Sequence, residues 1–147
     1  MELDAARLGK VFPYSRRVLA GLARRRVASG IITRNSTAAV LKVFPEIRDC
    51  CDVFLPREDA PALKPDPAHL LAALSRLGVE PERALMVGDH PLDIETGQRA
   101  GSRTAAVATG RLALDDLAEE SPDFLAKDAE QLIRLLDSEG WLPRPAV

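Results

Sequence analysis

Short apolar runs alternate with amphipathic stretches along the whole chain, and that alternation predicts parallel strands flanked by helices. Residues 15–28 read as a helix, with Val18, Leu19, Leu22 and Ala23 on one face. The run SGIIT, 29–33, reads as a buried strand, and 35–44 opens with capping residues and continues as a helix. A short strand follows at 52–55. Residues 66–78 form the strongest helical pattern, with Leu70, Leu71, Leu74 and Leu77 as its stripe and Gly78 as its stop. The clearest strand is 83–89. The helix after it runs to Ala100 and ends at Gly101, and a strand at 104–108 and a helix at 128–137 complete the pattern. Residues 141–147 read as a loosely held tail.

Consecutive βα units imply right-handed crossovers. The expected fold is therefore α/β, a doubly wound, Rossmann-like parallel sheet with helices on both faces. Ligands of such sheets bind beyond the carboxyl ends of the strands.

Composition narrows the class. The 147 residues suffice for one domain, and with 46% apolar and 29% charged residues a soluble globular protein is expected. A net charge of −2 argues against a nucleic-acid partner. Arg24–Arg26 fit a solvated helix face instead. Cys50 and Cys51 are adjacent, which disfavours a relaxed disulfide; two reduced thiols in a cytoplasmic protein are expected. No apolar run approaches the ~20 residues of a membrane span, and no signal peptide is visible, so no membrane partner is expected.

Three strand ends carry candidate chemistry. Thr33, followed by Arg34, Asn35 and Ser36, places a hydroxyl beside a helix N-terminus, where an anion is favoured. Taken alone, Asn35 or Ser36 as a plain helix cap is the simpler reading. Lys64 sits between strand and helix, next to Pro65 and Pro67, and can present a fixed charge to a phosphate. It equally suits a surface lysine before a helix capped by Asp66. Asp89 and Asp93 lie about one helical turn apart. Two carboxylates facing one spot need a cation, and oxygen-only ligands suit Mg²⁺. They equally suit a cap and a first-turn acid. Together, in this chain order, the three sites fit phosphoryl chemistry, where catalysis is mostly positioning and charge neutralisation.

GIITRNS, KPDP and GDHPLDIETGQRAG resemble the second, third and fourth motifs of the haloacid dehalogenase superfamily of phosphohydrolases, in its phosphoglycolate-phosphatase-like branch. The resemblance covers about residues 13–140. It implies that Thr33 holds the transferring phosphoryl group with Asn35 close by. It implies that Lys64 neutralises charge between nucleophile and phosphate. Asp89 would ligate Mg²⁺, and Asp93 would support the metal's water shell or Lys64. The family pattern gives His90 no fixed role, and His69 reads as an ordinary helix residue.

The family's first motif, a strand ending in Asp-x-Asp that supplies nucleophile and general acid, has no counterpart in these 147 residues. By the resemblance, residues 1–12 are the end of a cap helix and its linker, 13–140 the core, and Met1 an internal methionine of a longer product or the start of a genuine short form. The family's first strand lies mid-sheet, between the strands ending at Thr33 and Gly88. Its loss predicts that those two strands close up, that N-terminal residues fill the gap, or that a second chain swaps in as a homodimer. The implied activity is Mg²⁺-dependent hydrolysis of a small phosphorylated metabolite in the full-length form, with this chain inactive for lack of the nucleophile. A non-catalytic phosphate- or metal-binding protein of the same fold is the alternative. A receiver-like or nucleotide-binding domain is disfavoured by the lack of a Gly-rich phosphate loop.

Overall fold

The computed structural model describes residues 15–145. The expected remnant at 1–12, and any filling of the sheet by N-terminal residues, lie outside them.

The elements, numbered within the described residues, alternate as the apolar pattern requires. They run α1 (Ser15–Arg24), β1 (Gly30–Ile32), α2 (Thr37–Val43), α3 (Ile47–Cys50), β2 (Val53–Leu55), α4 (Ala68–Leu77), β3 (Leu85–Gly88), α5 (Pro91–Ala100), β4 (Arg103–Val107), α6 (Leu114–Ala118), β5 (Phe124–Ala126) and α7 (Ala129–Ser138). The strands form two parallel sheets, β1-β2 and β3-β4-β5. The expected closure of the strand before Thr33 onto the strand before Asp89 does not occur. β1 pairs with β2 and β3 with β4, and among the described residues no strand lies between β1 and β3. Packing, not a shared ladder, joins the halves.

Side-chain alternation shows how. Ile31 faces a core with Leu19, Val40, Phe44 and Ile47, while its neighbour Ile32 faces Leu55, Leu70, Ala73, Leu74 and Met86. In β4, Ala105 and Val107 pack with Phe124, Leu132 and Leu136, while Ala106 packs with Ile94 and Leu117. Helices therefore cover both faces: α4, α5 and α6 on one, α1, α2, α3 and α7 on the other. Met86 of β3 shares a core with Ile32 of β1, and α4 against α5 and α1 against α7 bridge the two sheets.

Several boundaries differ from the sequence pattern. α1 stops at Arg24, four residues early. Arg26 is left-handed (φ 59°), Arg26 N–H donates to Ala23 and Val27 N–H to Leu22, which is a Schellman closure on a non-glycine residue. α3, α6 and β5 are too short to show a period. The expected loose tail is instead docked at its start: Trp141 meets Phe124 edge-on at 5.7 Å, and the Arg103 guanidinium lies 4.2 Å over its ring.

Candidate functional site

Thr33 directly follows β1 and is 1% exposed. Its amide closes the β1-β2 ladder on the Leu55 carbonyl at 3.3 Å. Its Oγ1 accepts the Asn35 amide at 3.1 Å and Asn35 Nδ2 at 3.2 Å. The capping work falls elsewhere: Ser36 Oγ accepts Ala39 N–H at 3.1 Å, and the Glu58 carboxylate takes the amide and hydroxyl of Thr37. Those two bonds hold Glu58 below its ordinary pKa, the Thr37 backbone bond contributing most. Thr33 and Asn35 are thus not spent on the helix. Within the described residues Thr33 Oγ1 accepts two bonds and donates none, which leaves its proton for an oxygen of a bound anion.

Lys64 is buried, against the surface reading. Its Nζ lies 2.7 Å from Asp93 Oδ1, both side chains 1% exposed. A buried cation of this kind demands a carboxylate partner. Asp93 reaches back because it occupies the first turn of α5, where its Oδ2 accepts the His90 amide at 3.1 Å and His90 Nδ1 accepts Leu92 N–H. Gly88 makes room for this. A Cβ there would fall 2.2 Å from Cβ and Oδ2 of Asp93. The two roles posed for Asp93, a metal's shell or Lys64, meet a side chain that holds Lys64 directly.

Asp89 is half-buried at the end of β3. Gly110, in the turn after β4, lies against it: a Cβ there would be 2.5 Å from Asp89 Oδ2. Among the described residues no three His, Cys, Asp or Glu side chains gather as a metal cage. A half-buried carboxylate of this kind fits a hard cation such as Mg²⁺, which retains waters and takes only one or two protein carboxylates. Asp89 would hold it, with Asp93 behind.

His69, read as an ordinary helix residue, is fully buried. Its Nε2 lies 3.1 Å from the Leu55 carbonyl that also accepts Thr33 N–H. Burial, with the nearby Lys64 charge as a lesser cause, pushes its pKa down, against the raising effect of the Leu55 bond. Hydrogen bonds thus join Thr33, Leu55 and His69 in one group and Lys64 and Asp93 in another, and His69 feels the Lys64 charge. Gly110 and His69 escaped sequence reading because a glycine in a turn and a histidine on a helix carry no pattern. A separate cavity of about 300 Å³, lined by Arg17, Arg24, Arg25 and Arg134, lies between α1 and α7, near the end of α1 that feeds β1.

Parallel strands between two helical layers, with a hydroxyl, a buried lysine and two acids at their ends, define an α/β phosphohydrolase-type scaffold. The profile of the haloacid dehalogenase-like hydrolases matches residues 2–107, and the chain belongs to that family. It is 37% identical over 110 residues to a pyrophosphatase PpaX of Bacillus cereus, covering 73% of this chain and 50% of that one. It is 43% identical over 75 residues to a phosphoglycolate phosphatase of Aquifex aeolicus, covering 51% of this chain and 34% of that one. Its fold superposes on a haloacid dehalogenase-type phosphatase from Thermococcus onnurineus with a TM-score of 0.73 at 28% identity, over 86% of this chain and 58% of that one. The chain thus spans about half the length of the curated relatives it matches.

Proposed function

We propose that this chain is the phosphate- and metal-holding part of a Mg²⁺-dependent phosphomonoesterase acting on a small phosphorylated metabolite in the cytoplasm. The observation that carries this reading is the buried Lys64–Asp93 pair, both side chains 1% exposed. A cation held at 1% exposure serves structure poorly, since an apolar pair of equal volume is often as stable. It serves a transferring phosphoryl group well, because charge there develops in a site shielded from water. The names of the relatives, a pyrophosphatase and a phosphoglycolate phosphatase, point to phosphate esters and anhydrides.

In this scheme Thr33 Oγ1 and Asn35 bind and orient the phosphoryl oxygens. Lys64 neutralises them, and Asp93 fixes the Nζ position. Asp89 holds Mg²⁺, which when bound supplies further positive charge to the phosphoryl group. The nucleophile is a carboxylate of an Asp-x-Asp strand that these 147 residues do not contain. Residues 13–140 form the core, and a homodimer is one way to complete it.

The test is hydrolysis of an aryl phosphate with Mg²⁺ by this chain and by a form extended upstream in frame. We expect silence from the 147 residues and turnover, abolished by Asp89→Ala, from a form carrying Asp-x-Asp. Robust turnover by the short chain would overturn the assignment of the nucleophile. The absence of Asp-x-Asp favours a second reading, a non-catalytic phosphate- or metal-binding protein. Silence from both forms, with phosphate still bound, would select it.

A further inference from the structure

We infer that His69 is a positioning residue that locks the phosphate-binding hydroxyl of Thr33 to the Lys64 segment through the Leu55 carbonyl, an inference that rests on the phosphate-site reading above. Two chain segments meet on that one oxygen. Thr33 N–H reaches it at 3.3 Å from β1, and His69 Nε2 reaches it at 3.1 Å from the first turn of α4. A carbonyl only accepts, so Nε2 carries the hydrogen.

Nδ1 of the same ring is buried and has no hydrogen-bond partner among the described residues. A second ring proton there would be an unsatisfied donor facing the Lys64 charge, and like charges in a buried site repel. The ring is therefore neutral and fixed in the Nε2–H tautomer. A leucine or phenylalanine would fill this fully buried site as well, at no desolvation cost, yet would leave the Leu55 carbonyl held by Thr33 alone.

The geometry gives the bond a specific consequence. Lys64 and His69 are five residues apart, separated by Pro65 and Pro67, which fix φ on either side of Asp66. Asp66 Oδ1 accepts the Ala68 amide at 2.8 Å, so the short connection is itself closed. Fixing His69 on Leu55 thus fixes the start of α4 on the β1-β2 sheet, and with it the placement of Lys64 relative to Thr33. Lys64 is tied in turn to α5 through Asp93. His69 on Leu55 and Lys64 on Asp93 thus act in series, tying the sheet that leads into Thr33 to the helix that follows β3.

The test compares wild type, His69→Leu and His69→Gln by amide hydrogen exchange, by the imidazole ¹⁵N spectrum and by titration with inorganic phosphate and Mg²⁺. Wild type should show one neutral tautomer with the proton on Nε2. His69→Leu should lose about tenfold in Thr33 amide protection, the equivalent of one ordinary hydrogen bond. It should lose a similar factor in phosphate affinity, while Met86 and Ala105 amides keep their protection. His69→Gln, whose side-chain amide can donate to Leu55, should recover a good part of both. Equal Thr33 protection in wild type and His69→Leu, or recovery by no donor, would overturn the inference and leave His69 a packing residue. Failure of every form to bind phosphate would instead refute the phosphate-site reading, and the Thr33 exchange comparison would still decide the role of His69.

Discussion

The two strand ends that build the site are held in opposite ways. At the end of β1 the candidate side chains are neutral and bonded nearby, Thr33 Oγ1 by Asn35 and Ser36 by Ala39, each within three residues. At the end of β3 the group that matters is charged and satisfied from afar, Asp93 by Lys64 across 29 residues. Local bonds survive local errors. A buried ion pair does not, because losing one partner strands the other in a medium that cannot solvate it. The β1 end is thus built to tolerate change, and the β3 end is the brittle part of the scaffold.

The sharpest way to break this contrast is Asp93→Ala. It should cost about 3–5 kcal/mol, the usual consequence of removing one member of a buried ion pair. Urea unfolding gives the value, and a loss under ~1 kcal/mol would mean that Lys64 finds ready compensation. Gly88→Ala attacks the same end by sterics alone. With its Cβ 2.2 Å from Asp93, the strand or the aspartate must move, and a loss of about 2 kcal/mol is expected by the same measurement. Thr33→Val should cost less, about 1 kcal/mol, since it removes one acceptor and keeps the volume. If it proved as damaging as Asp93→Ala, the proposed asymmetry would be wrong.

pH offers a milder probe. The folded pKa of His69 lies below 6.5, so the unfolded chain binds the extra proton first. Its contribution is fully present above about pH 6.5 and is lost as pH falls through the depressed folded value. The stability difference between wild type and His69→Gln should therefore shrink on acidification, read from denaturation midpoints at several pH values. The smallest effect belongs to the far edge. Arg25 bonds Asp137 through two nitrogens, at 2.9 and 3.0 Å, in a surface pair whose carboxylate is open to solvent. Arg25→Ala should move the denaturation midpoint only slightly, and the difference should fade in high salt.

Much of the architecture could be read from periodicity. The leucine stripe of α4 buries Leu70 and Leu74, and Gly78 closes that helix in the left-handed conformation at φ 67°. The apolar run before Gly88 is a buried strand, and Gly101 ends α5. β5 was not visible because Phe124–Ala126 is too short to show alternation, and its place follows only from pairing with β4. Which strands pair could not be read for a related reason. A pattern says which residues want a strand but not which strand will be the neighbour.

The sequence by itself determined the order of the longer elements, the two apolar faces and the candidates Thr33, Asn35, Lys64, Asp89 and Asp93, because those depend on local spacing and residue type. Tertiary structure alone decided that Lys64 is buried against Asp93, that Gly110 closes on Asp89, and that His69 and Thr33 share the Leu55 carbonyl. The physical reason is range. Helix and strand preferences act over a few residues, whereas the cost of burying an unpaired charge or polar atom is settled only when distant segments meet.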